Sequence, residues 1–376
     1  MISPFVYGRI ATADSFTDRE EDCASLSRDF LNLTNTIIIS PRRWGKSSLV
    51  RKAGEEAMGL DPGLRVCYLD LFNVRNENEF YEKLAASVIR GTSSKLEELM
   101  SNALKYASAL LPALTTGDPV NKVRLEFNIK EPSKSADEIL DMAERIAKDK
   151  NLRIVVCIDE FQQIASFTDS DALQAKLRSH WQLHSHVGYC LYGSRRHMMM
   201  NVFTNREKPF YKFGKTLFLE KIDALKWPPF IIGKFKQTGK TINEKQCTAI
   251  VKMVDNNPYY IQQLCEEIWN RTGKTVDDVI ISEGFHAIVR SQSALNLALT
   301  QTLKLNEQNL LKAIVHGEKY LSSSSVMEKY GLKNSLNVQR AKKALVAMDI
   351  IDDFGKSIEM EDPLYAYWLK NVYFQP

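Results

Sequence analysis

Ile37-Ile38-Ile39-Ser40-Pro41-Arg42-Arg43-Trp44-Gly45-Lys46-Ser47-Ser48-Leu49-Val50 reads as a strand, a phosphate loop and the start of a helix. The β-branched run suits a buried strand. Trp44-Gly45-Lys46-Ser47 matches the second half of the pattern G-x-x-x-x-G-K-[ST], with Ser40 where that pattern opens on glycine. Backbone N–H groups in such a loop curl around phosphates, and Gly45 permits close approach. Lys46 neutralises β- and γ-phosphate charge, and the Ser47 hydroxyl is a Mg²⁺ ligand. The helix that follows points its positive end at the anion. The whole segment, Ser40, Pro41, Arg42, Arg43, Trp44, Gly45, Lys46, Ser47 and Ser48, is therefore the candidate nucleotide-binding loop.

A second stretch, Leu152-Arg153-Ile154-Val155-Val156-Cys157-Ile158-Asp159-Glu160, reads as a buried strand ending in two carboxylates. Such a pair alone is often a solvated turn. Downstream of a phosphate loop it acquires roles: Asp159 holds the Mg²⁺ hydration shell and Glu160 polarises the attacking water.

Bulk properties set limits on the rest. The chain of 376 residues is long enough for two or three domains. Its net charge of +4 is too small to argue for nucleic acid by itself. The six cysteines are scattered without a C-x-x-C or Cys/His cluster, so neither zinc nor a disulfide framework is indicated. With no signal-peptide pattern and no apolar run near 18 residues, the expectation is a cytoplasmic protein without a membrane span.

Around these two stretches the chain alternates. Leu64–Leu71, Val187–Gly193 and Thr216–Leu219 read as further strands separated by helical patterns, which predicts a parallel, doubly wound α/β sheet. Thr17 or Asp18 is the expected cap of a first helix, and Tyr7, Gly8 and Phe16 are candidates to cover an adenine base. Asp70 is either a functional group at a strand end or the cap of a helix over about 78–90. Residues 91–135 form an insertion, with a helical pattern over 93–111 and an alternating strand over 122–129; Ser135 and Glu138 read as a capping box. Ala172–His186 reads as a helix with His180, His184 and His186 on a polar face. Ser194 and Arg195, just past a strand end, are candidates to touch the γ-phosphate or the attacking water, Arg195 by stabilising transition-state charge.

Trp227-Pro228-Pro229 breaks the pattern, and a boundary is placed near residue 225. Residues 226–296 read as helices, one of them opening at Asn257-Pro258, with Pro258 at a corner that would close over base and phosphates. Residues 297–376 read as three helices and a small hairpin, the order of a winged helix, whose third helix presents Gln339, Arg340, Lys342 and Lys343. From Gln301 to Pro376 there are 10 Lys/Arg against 9 Asp/Glu, a net of +1, which is a poor balance for neutralising DNA phosphates.

Taken together, Asp18-Arg19-Glu20, Pro41 to Leu49, Ile158 to Gln162, Gly193-Ser194-Arg195, Pro209-Phe210-Tyr211, Asn256-Asn257-Pro258-Tyr259-Tyr260 and Asp362 to Leu369 resemble the prokaryotic archaeal-type P-loop ATPases, a STAND branch related to AAA+ proteins. The resemblance covers nearly the whole chain. It implies an AAA+-like ATPase core (1–225), a helical lid (226–296) and a C-terminal winged-helix domain (297–376), with ATP or ADP and Mg²⁺ as ligands. It also carries over Lys46 as the phosphate lysine, Ser47 as the Mg²⁺ serine, Asp159 and Glu160 as the acidic pair and Arg195 as the arginine after the fourth strand. Two positions depart from the family pattern, Ser40 and Asn256, both where glycine is usual. The expected function is a nucleotide-dependent switch with slow, Mg²⁺-assisted ATP hydrolysis. A DNA-associated ATPase and a nucleotide-stabilised scaffold for a protein partner are the alternatives, and an oligomer is left open.

Overall fold

The computed structural model describes residues 2–10, 17–106, 110–117, 122–129, 132–354 and 358–375. Their strands are β1 (Thr36–Ile39), β2 (Leu64–Asp70), β3 (Leu110–Gly117), β4 (Lys122–Ile129), β5 (Arg153–Asp159), β6 (Val187–Gly193), β7 (Lys215–Phe218), β8 (Ile351–Asp352) and β9 (Glu359–Met360). Five of them form one parallel sheet in the order β2-β5-β6-β1-β7. The three inner strands β5, β6 and β1 are almost wholly buried, as expected where helices cover both faces of a parallel sheet. The edge strand β7 is mostly exposed and carries Lys215, which pairs with Asp29 at 2.7 Å and leaves a charged edge.

The chain divides into two compact units. The sheet unit comprises 19–40 and 46–219. Its core runs from Ile37, Val156, Ile158 and Leu191 on the strands to an aromatic cluster in which Trp181 stacks on Tyr189 with centroids 4.2 Å apart. The helical unit comprises 1–18, 41–45 and 220–376. One continuous apolar core joins Phe5, Trp227, Phe235, Tyr260 and Ile268 to Leu310, Leu345, Leu364 and Trp368. Its C-terminal part has helices Leu305–Val315, Ser324–Lys329 and Ser335–Ala347 followed by the antiparallel pair β8–β9, the winged-helix order.

Several local expectations are corrected. The first helix, Glu20–Leu31, is preceded by Arg19 in the left-handed region, so neither Thr17 nor Asp18 caps it. The cap of helix Glu77–Gly91 is Asn76, which accepts from the Glu79 amide; Asp70 instead closes a turn by accepting from the Phe72 amide at 2.8 Å. The helical pattern over 93–111 ends at Tyr106, and Leu110 and Leu111 open β3, which pairs with β4. A helix already runs from Pro132, so Ser135 is not its cap, and Asp141 separates it from the next helix, Met142–Lys150. Pro228 and Pro229 do not interrupt structure; they sit in the first turn of helix Trp227–Gln237, where no amide partner is lost.

The helix over Ala172–His186 is shorter than expected, Ser170–Trp181. His184 and His186 lie beyond its end, and all three histidines find carboxylates that the sequence spacing did not reveal. His180 Nδ1 is 2.8 Å and His184 Nε2 3.1 Å from Asp141, while His186 Nδ1 is 2.9 Å from Glu144. All six cysteines are buried free thiols. No helix among the described residues is long and apolar enough to cross a membrane.

Candidate functional site

Within the sheet unit, the helix Lys46–Leu60 starts directly behind the loop, and β5 ends on Asp159. Strand β6 lies between β1 and β5, so Ser194 emerges between the loop strand and the acidic pair. Parallel strands align their carboxyl ends, which is where open α/β sheets bind ligands. The resulting contacts are direct. The Ser47 hydroxyl donates to Asp159 Oδ2 at 2.7 Å, and Asp159 Oδ1 accepts from the Glu160 amide at 2.8 Å. Lys46 Nζ lies 3.7 Å from Glu160 Oε1, with side-chain exposures of only 9% and 18%, so water screens this pair weakly. Glu160 Oε2 accepts from the Ser194 hydroxyl at 2.9 Å and from Gln162 Nε2.

These surroundings separate the two acids. Burial pushes the Asp159 carboxyl up, and Lys46 and the Ser47 hydroxyl offset it only in part, so it stays above its ordinary range. Burial also pushes Glu160 up, but Lys46 together with the Gln162 and Ser194 hydrogen bonds outweighs it and leaves the group below the usual value. Glu160 is thus an ionised carboxylate at neutral pH, aimed by three neighbours. Its backbone φ of 52° is left-handed, an uncommon state for a non-glycine residue and one that recurs where side chains are aimed for function.

Gln162 is a residue of the cluster that sequence spacing does not reveal. Its signal was a polar residue in a run, Phe161-Gln162-Gln163-Ile164, whose flanking Phe161 and Ile164 are core. It is almost wholly buried, and its Oε1 has no hydrogen-bond partner among the described residues. Gly193 makes room for it, because a Cβ there would stand 1.9 Å from that Oε1 and 2.9 Å from Met199 Sδ.

Arg195 precedes helix Arg196–Thr204, and its Nη1 lies 3.8 Å from Met198 Sδ. Met199 and Phe203 on that helix are core residues.

Within the helical unit, the loop residues Arg43 (φ 65°) and Gly45 (φ 86°) are both left-handed. For arginine this costs roughly 1 kcal/mol. Both loop arginines reach carboxylates far along the chain: Arg42 pairs with Asp349 at 3.2 Å, and Arg43 with Asp362 at 3.1 Å. Arg43 also donates to the Tyr260 hydroxyl and lies over the Tyr259 ring, 4.7 Å from its centroid. Trp44 has the Lys221 ammonium 5.9 Å from its ring centroid. Asn257 caps helix Pro258–Arg271 by accepting from the amides of Tyr259 and Tyr260, with Pro258 in its first turn. Asn256 keeps the left-handed turn at φ 56°, its Nδ2 donating to the Ile222 carbonyl. Tyr7 meets Tyr259 edge-on at 5.6 Å, and Gly8 is left-handed at φ 71°. Phe16 lies outside the described residues.

With this geometry in view, comparison with known proteins decides the family. Residues 16–264 match the model of an ATPase domain found predominantly in Archaea. The chain belongs to that ATPase family. Residues 297–371 match a probable winged helix domain. A Walker-type ATPase of Pyrococcus abyssi is similar in structure over 95% of this chain and 96% of its own, at 18% identity and a TM-score of 0.69. The Aeropyrum pernix ORC2 protein, in ADPNP-ADP complexes, is similar over 97% and 95%, at 14% identity and 0.64. The Aeropyrum pernix ORC1 protein in complex with DNA is similar over 95% and 93%, at 12% identity and 0.51. At these identities the likeness is one of fold. No curated protein matches the sequence. The fold is therefore an α/β P-loop ATPase core with a C-terminal winged helix.

Proposed function

We propose that this ATPase-family protein is a nucleotide-dependent switch that binds Mg·ATP at Lys46, Ser47, Asp159 and Glu160 and hydrolyses it slowly. The observation that carries the reading is the contact set at the strand ends: Ser47 on Asp159, and Lys46 and Ser194 on Glu160. The Ser47 hydroxyl and the Asp159 carboxylate are hard oxygen donors in direct contact, a donor set that fits Mg²⁺. Mg²⁺ bound there would offset the charge of the phosphates.

Lys46 would shift from Glu160 toward β- and γ-phosphate oxygens once a polyanion arrives. Glu160, released from that ion pair and still held by Ser194 and Gln162, would orient a water and accept its proton. Arg195 is assigned to the γ-phosphate side, with Ser194 aiming Glu160. Ser40 to Ser48 would wrap the phosphates.

Single-turnover hydrolysis of ATP, comparing the wild type with Glu160→Gln, tests this. Conversion of bound ATP to ADP by the wild type alone supports a working pair, and equal retention of ATP by both sinks the hydrolytic reading. The winged helix motivates a second reading, in which it contacts DNA; the Aeropyrum pernix ORC1 protein, similar in fold, is known in complex with DNA. The near-neutral charge of 301–376 and the pairing of Lys342 with Asp353 at 2.9 Å favour a protein partner instead.

A further inference from the structure

We propose that Asp362 and Tyr260 are positioning residues for the phosphate loop: they latch Arg43, and the latch holds the loop in the left-handed turn that presents its N–H groups to phosphate. This rests on the nucleotide reading above and adds to it two residues remote from the loop in sequence.

The latch is built from groups that are themselves fixed. Asp362 divides its two oxygens between two tasks. Oδ1 caps helix Pro363–Trp368, accepting from the amides of Leu364 at 2.9 Å and Tyr365 at 3.1 Å. Oδ2 takes Arg43 Nη1 at 3.1 Å and the Tyr260 hydroxyl. The cap therefore sets the carboxylate's rotation, and the second oxygen has one direction left. Tyr260 is fully buried on a helix whose start is pinned by Asn257, and burial, with Asp362 beside it, keeps its hydroxyl protonated as a donor. The Tyr259 ring supports the guanidinium from another side.

Arg43 needs such support. It is left-handed at φ 65° although arginine has no short polar side chain to stabilise that state locally. A strained backbone persists only where surrounding contacts over-determine it. The neighbouring pair Arg42–Asp349 at 3.2 Å ties the same turn a second time. Without the latch, Arg43 relaxes toward an ordinary φ, and the peptide that follows it rotates out of the phosphate-binding arrangement.

Two readouts on the full chain test this. One is backbone hydrogen exchange over residues 42–45 without nucleotide, and the other is affinity for a fluorescent ADP analogue. Asp362→Asn removes the charge but keeps the cap, because asparagine caps helices as well as aspartate; Tyr260→Phe removes only the hydroxyl. Both variants should speed exchange in the loop and weaken the analogue about tenfold, a loss of about 1.4 kcal/mol by the usual conversion. Arg43→Gly, which enters the left-handed region unaided, should bind more tightly than Arg43→Ala, and adding Asp362→Asn to Arg43→Gly should cost nothing further. Unchanged loop exchange in both Asp362→Asn and Tyr260→Phe overturns the proposal. So does a full Asp362→Asn loss persisting in the Arg43→Gly background, since that loss would then be merely structural. A wild type that binds no analogue defeats the nucleotide reading, while the exchange arm still decides whether the latch exists.

Discussion

The strand ends of the sheet unit and the Asp362 corner of the helical unit each hold a basic residue of the same loop segment, and they do so by different means. Lys46 meets Glu160 at the end of a parallel sheet, where backbone hydrogen bonds align β1, β6 and β5 and any residue just past a strand is delivered to one rim. Arg43 meets Asp362 across 319 positions of sequence, through a capped helix, a buried tyrosine and an apolar core. The first arrangement is set by strand order. The second depends on the packing of the particular groups that form it.

The largest effect expected on the sheet side is chemical. Glu160→Gln should lower single-turnover hydrolysis by roughly 10²–10⁴-fold while ATP still binds in a filter or fluorescence assay; loss of binding together with hydrolysis would mean that Glu160 holds the site together structurally. Next comes the metal. Ser47→Ala should make ATP binding nearly insensitive to EDTA, whereas the wild type should lose affinity when Mg²⁺ is chelated, as calorimetry would read directly. Equal chelator sensitivity in both would move the metal away from Ser47.

A smaller effect tests how tightly the rim is packed. Gly193→Ala forces its methyl against the Gln162 amide and Met199, and overpacking of this kind costs about 1–3 kcal/mol. Hydrolysis should fall more than thermal stability explains, because Gln162 is displaced from Glu160. A stability loss with unchanged turnover per folded molecule would show that Gln162 does not aim the carboxylate.

The smallest effect is a pH dependence confined to the sheet unit. Burial raises the Glu144 carboxyl, but the His186 ring, the His186 and Ser185 amides and Lys148 outweigh it and bring it down to about 2. Asp141 is likewise lowered, burial being outweighed by His180 and His184. Because both folded values lie below the unfolded ones, about 3.9 for Asp and 4.3 for Glu, their contribution is complete above those values and is lost as pH falls toward 2. Melting temperatures should drop across that window, and Glu144→Gln should flatten the slope. An identical slope in the variant would assign acid sensitivity to other carboxylates.

The sheet-side site was largely legible from the chain. Gly45-Lys46-Ser47 and Asp159-Glu160 each follow a β-branched run, and an apolar strand ending in a polar residue can be recognised without knowing its neighbours. Ser194 was found by the same logic. Gln162 was not, because its contact depends on the absence of a Cβ at Gly193. The histidines show the converse failure: their carboxylate partners come from around Asp141, on elements that spacing within 180–186 does not contain. The boundary at Tyr106, where a helical pattern of Leu and Ala gives way to β3, was missed because pairing with β4 decided the state of Leu110 and Leu111.

By itself the sequence determined the parallel α/β core, the winged-helix order, the loop between β1 and its helix and the adjacency of the two acids at the end of β5, because each rests on short-range periodicity or on residues adjacent in the chain. Only the tertiary structure decided that Glu160 is held by Ser194 and Gln162, that Asp141 and Glu144 serve the histidines, and that Arg43 is committed to Asp362 and Tyr260. Those pairings join side chains brought together by packing, and a carboxylate in a sequence does not disclose which cation the folded core will place beside it.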